Sequence, residues 1–242
     1  VTDTLTIEGQ FATESKVVER FRFSNSVTYT AAQVATGVLV SQSTSGADVI
    51  TGTSAHELIE GGAGNDTLRG RDGNDTYQFD LGFGQDVIEE SVTNVSISDN
   101  DVIQFGPGLT SDRAIFTRDG DSLVIGFTGL SDTVRISGQF THNAYFSGWS
   151  DVETFRFADG VELADADIRL RLLGQSATTG ADVITGFWGA DHIEGGAGDD
   201  ILRGKGGGDT YVWGRGVGSD TIEEHYDTLY EDQADTISFL PN

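Results

Sequence analysis

The sequence predicts an all-β chain: two flattened coils of parallel strands, separated and capped by mainly antiparallel β flanking segments with one or two short helices. Three observations lead there. A nine-residue period carries one acid and one large apolar residue at fixed places, the block returns 134 positions later, and glycine fills 33 of 242 positions against only two prolines. Glycine is about twice its ordinary usage near 7%, and the scarcity of proline excludes a proline-rich linker or collagen.

Composition narrows the partners. With 37% apolar residues the chain can bury a core. Against 39 Asp and Glu stand only 14 Lys and Arg, a formal charge of −25. Such a charge repels phosphate backbones and anionic lipid, so neither nucleic acid nor a membrane surface is expected as partner. No run of 18 apolar residues suggests membrane insertion. The same charge works against any compact state unless cations neutralise it. Cysteine is absent, which excludes disulfides and thiolate metal sites. The chain opens inside a repeat and is read as a piece of a longer protein.

Five segments follow along the chain. Residues 1–45 form an N-terminal flank, the second half of a preceding cap, because "DTLTIEGQF" at 3–11 parallels "DTVRISGQF" at 132–140. Residues 46–90 form the first coil. Aligned on the acid at the sixth place, its units read STSGADVIT, GTSAHELIE, GGAGNDTLR, GRDGNDTYQ and, after two extra residues, LGFGQDVIE. The acids are Asp48, Glu57, Asp66, Asp75 and Asp86, and the eighth place is apolar throughout: Ile50, Ile59, Leu68, Tyr77 and Ile88. Residues 91–175 form the cap. "DVIQF", "RAIFT", "SLVIGF", "TVRISGQF" and "VETFRF" alternate apolar and polar as antiparallel-type strands, a short helix is expected near Asp165 to Leu173, and Phe140, Tyr145, Phe146 and Trp149 are the candidate cap core. Residues 176–224 form the second coil, with Asp182, Asp191, Asp200, Asp209 and Asp220 at the sixth place and Ile184, Ile193, Leu202, Tyr211 and Ile222 at the eighth. Residues 225–242 start a second cap, and the two incomplete caps would complement each other head to tail between molecules.

Six turn-forming residues followed by three strand-like ones suit neither an amphipathic helix nor a hairpin meander. Two units make one turn of a coil in which each triplet is a short strand with its middle residue inward, and successive parallel strands lie about 4.8 Å apart. Units two apart therefore stack: Asp48 over Asp66 over Asp86, Glu57 over Asp75, Asp182 over Asp200 over Asp220, and Asp191 over Asp209. Like-charged carboxylates at that spacing, with carbonyl oxygens between them, call for a hard cation. Calcium accepts 6 to 8 oxygens, backbone carbonyls included, whereas magnesium demands stricter octahedral geometry. No nitrogen or sulfur donor recurs, so zinc and copper are excluded. A further level closes where Asp75 or Asp209 meets a later acid such as Asp101 or Asp235, and stacking gives about six to eight calcium ions. Six would take the formal charge from −25 to about −13.

The clearest units, Gly61, Gly62, Gly64, Asp66, Leu68 and Gly195, Gly196, Gly198, Asp200, Leu202, follow GGxGxDxUx, and the chain resembles the RTX (haemolysin-type calcium-binding repeat) family. With its flanks, which resemble segments closing such blocks in adenylate cyclase toxin-type and giant adhesin-type proteins, the resemblance covers nearly the whole chain. It implies two parallel β-rolls, calcium held between turns by the sixth-place carboxylates and by loop carbonyls, and export by a type I secretion system to the medium or cell surface. On this chain the loop positions are Gly46, Gly61, Gly62, Gly64, Gly70, Asp72, Gly73 and Gly84, then Gly180, Gly186, Gly189, Gly195, Gly196, Gly198, Gly204, Gly207 and Gly218. Ala55 and Glu57 depart from the pattern, so that turn is expected to bind more weakly, and "STSGAD" and "ATTGAD" lack the leading glycine pair and are expected at the entrance of each roll. Calcium binding then supplies folding free energy, a switch suited to a chain exported unfolded.

Other chemistries are weaker. Asp and Gly are ordinary turn formers without a metal, but ten units in near register argue against that reading. Glu89, Glu90, Glu223 and Glu224 are read as solvated acids, with ligation at the roll's end as the rival. His56, His142, His192 and His225 share no motif, and His192 holds an outward place. Asp99 and Asp101 are a chance pair among so many acids rather than glycosidase carboxylates. GxSxG, HExxH and Walker motifs are absent, and no enzyme activity is expected. The rivals to a structural module are an accessory module of a secreted toxin or enzyme, and an adhesin module binding a ligand near Trp149 and Tyr145.

Overall fold

Each nonapeptide spends six residues turning and three on a strand. In the computed structural model, which describes residues 20–22, 28–30, 42–90, 100–141, 151–224 and 234–240, that division is seen directly. β1 (Arg20–Arg22) and β2 (Thr28–Thr30) pair antiparallel. The first roll follows with β3 (Val49–Thr51), β4 (Leu58–Ile59), β5 (Thr67–Arg69), β6 (Thr76–Phe79) and β7 (Gln85–Ile88). Odd strands build one face and even strands the other, all parallel: β3 with β5, β5 with β7, β4 with β6. The register sets Ile50 beside Leu68 and Leu68 beside Ile88 on one face, Ile59 beside Tyr77 on the other, and all five are 0% exposed. One inward residue per strand, each stabilising by about 1.5–3 kcal/mol, makes a thin core with ends that need covering.

The flank supplies the cover through β8 (Val102–Phe105), β9 (Ala114–Asp119), β10 (Ser122–Phe127), β11 (Thr133–Ile136) and β12 (Thr154–Arg156). The expectation of a mainly antiparallel flank needs correction here. β8 pairs parallel with β6, β12 parallel with β8, and β11 parallel with β7, while β9 and β10 join the outer edge as a hairpin. The reason is that the repeat's triplet survives although its nine-residue spacing does not. Asp101-Val102-Ile103 and Glu153-Thr154-Phe155 keep acid, spacer and apolar residue in order, so they dock as further coils behind long insertions. Ile103 and Phe155 extend the Ile59–Tyr77 ladder, and Ile136 extends the Ile88 ladder. Phe79, Phe83, Phe105, Phe127 and Phe157 pack beside them, with ring centroids 4.9–6.5 Å apart. These residues belong to one compact unit, Val1–Ile115 with Ile125–Ser137 and Trp149–Glu162.

The second unit comprises Phe116–Val124, Gly138–Gly148 and Leu163–Asn242. After β13 (Glu162–Ala164) comes α1 (Asp165–Ser176), the expected helix. Asp165 and Asp167 lie in its first turn, where the helix dipole favours anions, and the Asp167 carboxylate accepts the Ala164 N–H at 2.9 Å. Ile168, Leu172 and Leu173 are buried, and α1 packs against β14 (Val183–Thr185) and β15 (His192–Glu194). The second roll continues through β16 (Ile201–Arg203), β17 (Thr210–Trp213), β18 (Thr221–Ile222) and β19 (Thr236–Phe239). Its faces are β14-β16-β18 and β15-β17-β19, again parallel. Phe140 is buried and its ring lies 4.6 Å from that of Phe187. Tyr145, Phe146 and Trp149 lie outside the described residues.

The last strands of the two rolls differ. Ile88, Ile103 and Phe105 are at most 1% exposed, whereas their counterparts Ile222, Ile237 and Phe239 are 36%, 51% and 70% exposed. Among the described residues nothing covers β18 and β19 as β11 and β12 cover β7 and β8.

Candidate metal centre

The acid stands one place before its strand, or within it at Asp86, so parallel pairing sets the acids of alternate units one above another. A shared hydrogen bond fixes each level. The Asp48 N–H donates to Oδ1 of Asp66, and the Asp66 N–H to Oδ1 of Asp86, both at 2.9 Å. On the other face Glu57 N–H donates to Oδ1 of Asp75 (2.8 Å) and Asp75 N–H to Oδ1 of Asp101 (2.7 Å). In the second roll the same bonds join Asp182 to Asp200 (2.9 Å), Asp200 to Asp220 (3.2 Å), Asp191 to Asp209 (2.8 Å) and Asp209 to Asp235 (2.9 Å). The structure thus brings together every stacked pair that the sequence predicts, including Asp101 over Asp75 and Asp235 over Asp209. Glu153, missed in the sequence, adds a level: its Oε2 accepts the Asp101 N–H at 2.6 Å. Its signal was the acid-spacer-apolar triplet without the glycines.

One oxygen of each carboxylate is thereby used, and the other is the informative one. Oδ2 of Asp66, Asp75, Asp86, Asp200 and Asp209 is buried with no hydrogen-bond partner. A buried, unpaired carboxylate oxygen is costly, so it is expected to face a cation. The first acid of each stack is different. Asp48 Oδ2 accepts from Thr44 N–H (2.7 Å) and hydroxyl (2.8 Å), Asp182 Oδ2 from Thr178 N–H (2.6 Å) and hydroxyl (2.8 Å), and Asp191 Oδ2 from Phe187 N–H (2.5 Å). Glu57 is buried, and its Oε2 accepts the Thr53 N–H at 3.2 Å. Thr44, Thr53 and Thr178, unremarked in the sequence, satisfy Asp48, Glu57 and Asp182 locally.

Glycines stand against four of the orphaned oxygens, those of Asp66, Asp75, Asp200 and Asp209. At the first place, a Cβ on Gly61, Gly70, Gly186, Gly195 or Gly204 would run into Oδ2 of the acid in its own unit. At the fourth place, a Cβ on Gly64 would meet the carbonyl of Gly46, and one on Gly84 the carbonyl of Gly64; Gly198, Gly218 and Gly207 stand likewise over Gly180, Gly198 and Gly189, and Gly73 over Ala55. Gly62 and Gly196 approach the carbonyls of Thr44 and Thr178. Asp72 is buried beside Gly73.

Electrostatics runs the same way. Burial pushes Asp75 up to about 8, with Glu57 and Asp101 adding repulsion against the Glu57 N–H bond. Burial lifts Asp86 to about 7, Asp209 to about 7 and Glu153 to about 8, each beside further carboxylates. Asp66 also rises through burial. Asp191 rises through burial too, but three cations oppose it, Arg169, Arg118 and Lys205. Arg118 donates from Nη1 to the carbonyls of Thr185 (2.8 Å) and Gly186 (3.2 Å), with its guanidinium 4.3 Å above the Phe187 ring. No sequence pattern marks Arg118.

Four acids at the ends of the two nonapeptide blocks divide. Glu89 pairs with Arg69 (2.6 Å) and Glu223 with Arg203 (2.7 Å) at half-exposed positions, as solvated acids do. Glu90 is only 9% exposed and contacts the Tyr77 hydroxyl, and Glu224 contacts that of Tyr211. For Glu90 the solvated reading is therefore corrected. Its signal was the Tyr-to-Glu separation of 13, the same in both copies. Nδ1 of the exposed His56 accepts the Asn74 N–H at 2.7 Å, and His192 faces outward. His142, His225 and Asp99 lie outside the described residues.

An all-oxygen donor set of carboxylates and carbonyls, with orphaned oxygens at successive levels, fits calcium. The family models agree with the geometry. The family model described as RTX calcium-binding nonapeptide repeat (4 copies) matches residues 42–77, 51–88 and 176–202, and that of the haemolysin-type calcium binding protein related domain matches 2–33 and 123–167. Among curated proteins, the "Iron-regulated protein FrpA" of Neisseria meningitidis serogroup C is 33% identical over 123 residues, 51% of this chain and 10% of that protein. The chain thus aligns with about a tenth of that relative's length. Among solved structures, the extracellular lipase LipA from Serratia marcescens matches with a TM-score of 0.35 at 19% identity, covering 81% of this chain and 33% of the lipase. With its stacked acids, glycine loops and parallel rolls, the chain thus carries RTX calcium-binding nonapeptide repeats at 42–88 and 176–202, flanked by segments of the haemolysin-type calcium binding protein related domain.

Proposed function

We propose that the chain is a non-catalytic, calcium-binding structural module of a larger secreted or cell-surface protein, exported unfolded by a type I secretion system and folding as it binds about six to eight calcium ions. The observation that carries this reading is the set of five buried Oδ2 atoms with no partner, repeated in register through both rolls. Without cations these levels repel; with them, binding free energy becomes folding free energy. Circular dichroism in excess chelator and in millimolar calcium tests the switch, and calorimetric titration counts the ions. Equal β content in both conditions, or fewer than five ions, would overturn it.

Head-to-tail self-association belongs to the same proposal. Residues 2–33 and 123–167 match one family model, and Ile222, Ile237 and Phe239 are exposed where the first roll is covered. A second copy would place its cap-like residues 2–33 on that edge. Light scattering in calcium at rising protein concentration should show a growing mass, and a monomer throughout would remove this part.

A further inference from the structure

Where the nonapeptides of the first roll end, the stacked acids Asp75 and Asp101 are met by a third, Glu90, that the repeat pattern does not place there. Asp75 is the last nonapeptide acid before the two-residue slip, Glu90 follows β7, and Asp101 precedes β8. One carboxylate oxygen from each lies within 4.8 Å of the others. All three side chains are more than nine-tenths buried, at 0%, 9% and 3% exposure. Oδ2 of Asp75 has no hydrogen-bond partner, and it points into a cradle rather than into packed apolar atoms. A Cβ on Gly70 would find Asp75 Oδ2, the Tyr77 hydroxyl and Glu90 Oε1 all within 2.9 Å. Only a residue without a side chain leaves that space open.

We infer that Asp75, Glu90 and Asp101 form a terminal calcium site, in which a glutamate from outside the nonapeptides completes the coordination and ties the end of β7 to the start of β8. The inference rests on the calcium-binding reading above. Two ligands facing each other across calcium, each at 2.3–2.6 Å, stand about 5 Å apart at most, which matches the cluster's span. The charges acting on Glu90 are the carboxylates of Asp101 and Asp75, so the protein supplies like charge where a counter-ion is needed. Tyr77 is a positioning residue: its hydroxyl accepts the Gly70 N–H at 2.6 Å and contacts Glu90 Oε1, while the Arg71 N–H donates to Glu90 Oε2 at 3.1 Å.

The second roll repeats the arrangement independently. Oxygens of Asp209, Glu224 and Asp235 lie within 4.8 Å of one another, Asp209 Oδ2 is orphaned and buried, Tyr211 contacts Glu224, and Gly204 leaves the same space. Here Glu224 and Asp235 are exposed, so this copy should exchange its ion faster.

The test is a calcium count on the whole chain by equilibrium dialysis, with affinities from calorimetry. The double variant E90Q/E224Q should bind two ions fewer than the parent chain, while E89Q/E223Q, which alters the surface pairs only, should bind the full number. A parent chain that binds calcium and an E90Q/E224Q variant with the same count and affinities would overturn the inference and leave the module's calcium binding standing. A parent chain that binds none would overturn both. If the glutamine variant stays unfolded in saturating calcium, E90D/E224D decides: the shortened arm should keep the count but weaken two sites at least about tenfold, a loss even outer-shell partners bring, and unchanged affinities would sink the idea.

Discussion

Asp66 divides its carboxylate between two tasks, and the division can be tested with one atom. Oδ1 holds the Asp48 N–H and so sets the register, while Oδ2 is orphaned. Asp66→Asn can keep the first task and removes the charge that serves the second. It should weaken one calcium site at least about tenfold while leaving the β content in saturating calcium unchanged, read by titration and circular dichroism together. Equal affinity in the variant would show that the orphaned oxygen holds no ion. A different residue-scale test concerns backbone shape. At the second place of their units Gly62 and Gly196 have φ near 90°, but Arg71 and Lys205 hold φ 78° with a side chain attached. That conformation costs a non-glycine residue about 1–2 kcal/mol, and glycine gives back part of the gain through its unfolded-state freedom. Arg71→Gly, whose side chain is exposed, should therefore stabilise the calcium-loaded protein by about 0.5–1 kcal/mol in denaturant unfolding, and a loss of stability would mean that the arginine side chain contributes more than its strain.

Elements inherit these choices unevenly. The strands of both rolls were legible because the eighth-place residue alternates inward with a fixed spacing, and the helix because an apolar stripe of Ile168, Leu172 and Leu173 follows two acids. The stacked acids were legible for the same reason, since parallel pairing at a known period leaves no other neighbours. What sequence reading missed was the direction of β8, β11 and β12. Insertions break the nine-residue count; the triplets Asp101-Val102-Ile103 and Glu153-Thr154-Phe155 betray that β8 and β12 continue the coil, while β11 has Val134 level with Asp86 and carries no such mark. Arg118 was missed for a harder reason: its partners are backbone carbonyls, which leave no mark on composition. It matters for the second roll, where it reaches the carbonyls of Thr185 and Gly186 beside Asp191. An arginine there supplies positive charge beside Asp191, so the first turn of the β15 face is expected to be ordered with little calcium. Arg118→Ala removes two charge-assisted hydrogen bonds and a ring contact, which should cost about 2 kcal/mol or more and raise the calcium concentration at the folding midpoint. A midpoint unmoved in calcium-dependent unfolding would show that Arg118 only packs.

Across the whole molecule, protons and calcium compete for the same oxygens. Asp75, Asp86, Glu90, Glu153 and Asp209 are all raised, to between about 7 and about 9, chiefly by burial. In the unfolded chain such groups titrate near 4. The calcium-free fold therefore holds more protons than the unfolded chain across this interval, and linkage makes its stability fall as pH rises. The contribution is complete below about pH 4 and lost as the pH climbs through about 7 to 9. Calcium reverses the sign, because it needs these carboxylates ionised and must displace their protons. In chelator, the chain should show more β structure at pH 5 than at pH 8.5, where the ionised stacks repel. In titrations from pH 6 to pH 9 the apparent calcium affinity should rise with pH, and at pH 7 the heat of binding should differ between Pipes and Tris, since each ion releases protons that the buffer takes up. Identical heats in the two buffers, together with an affinity flat across that range, would mean that the buried acids of the calcium-free chain are already ionised, and the rolls would then have to be held open by repulsion alone until calcium arrives.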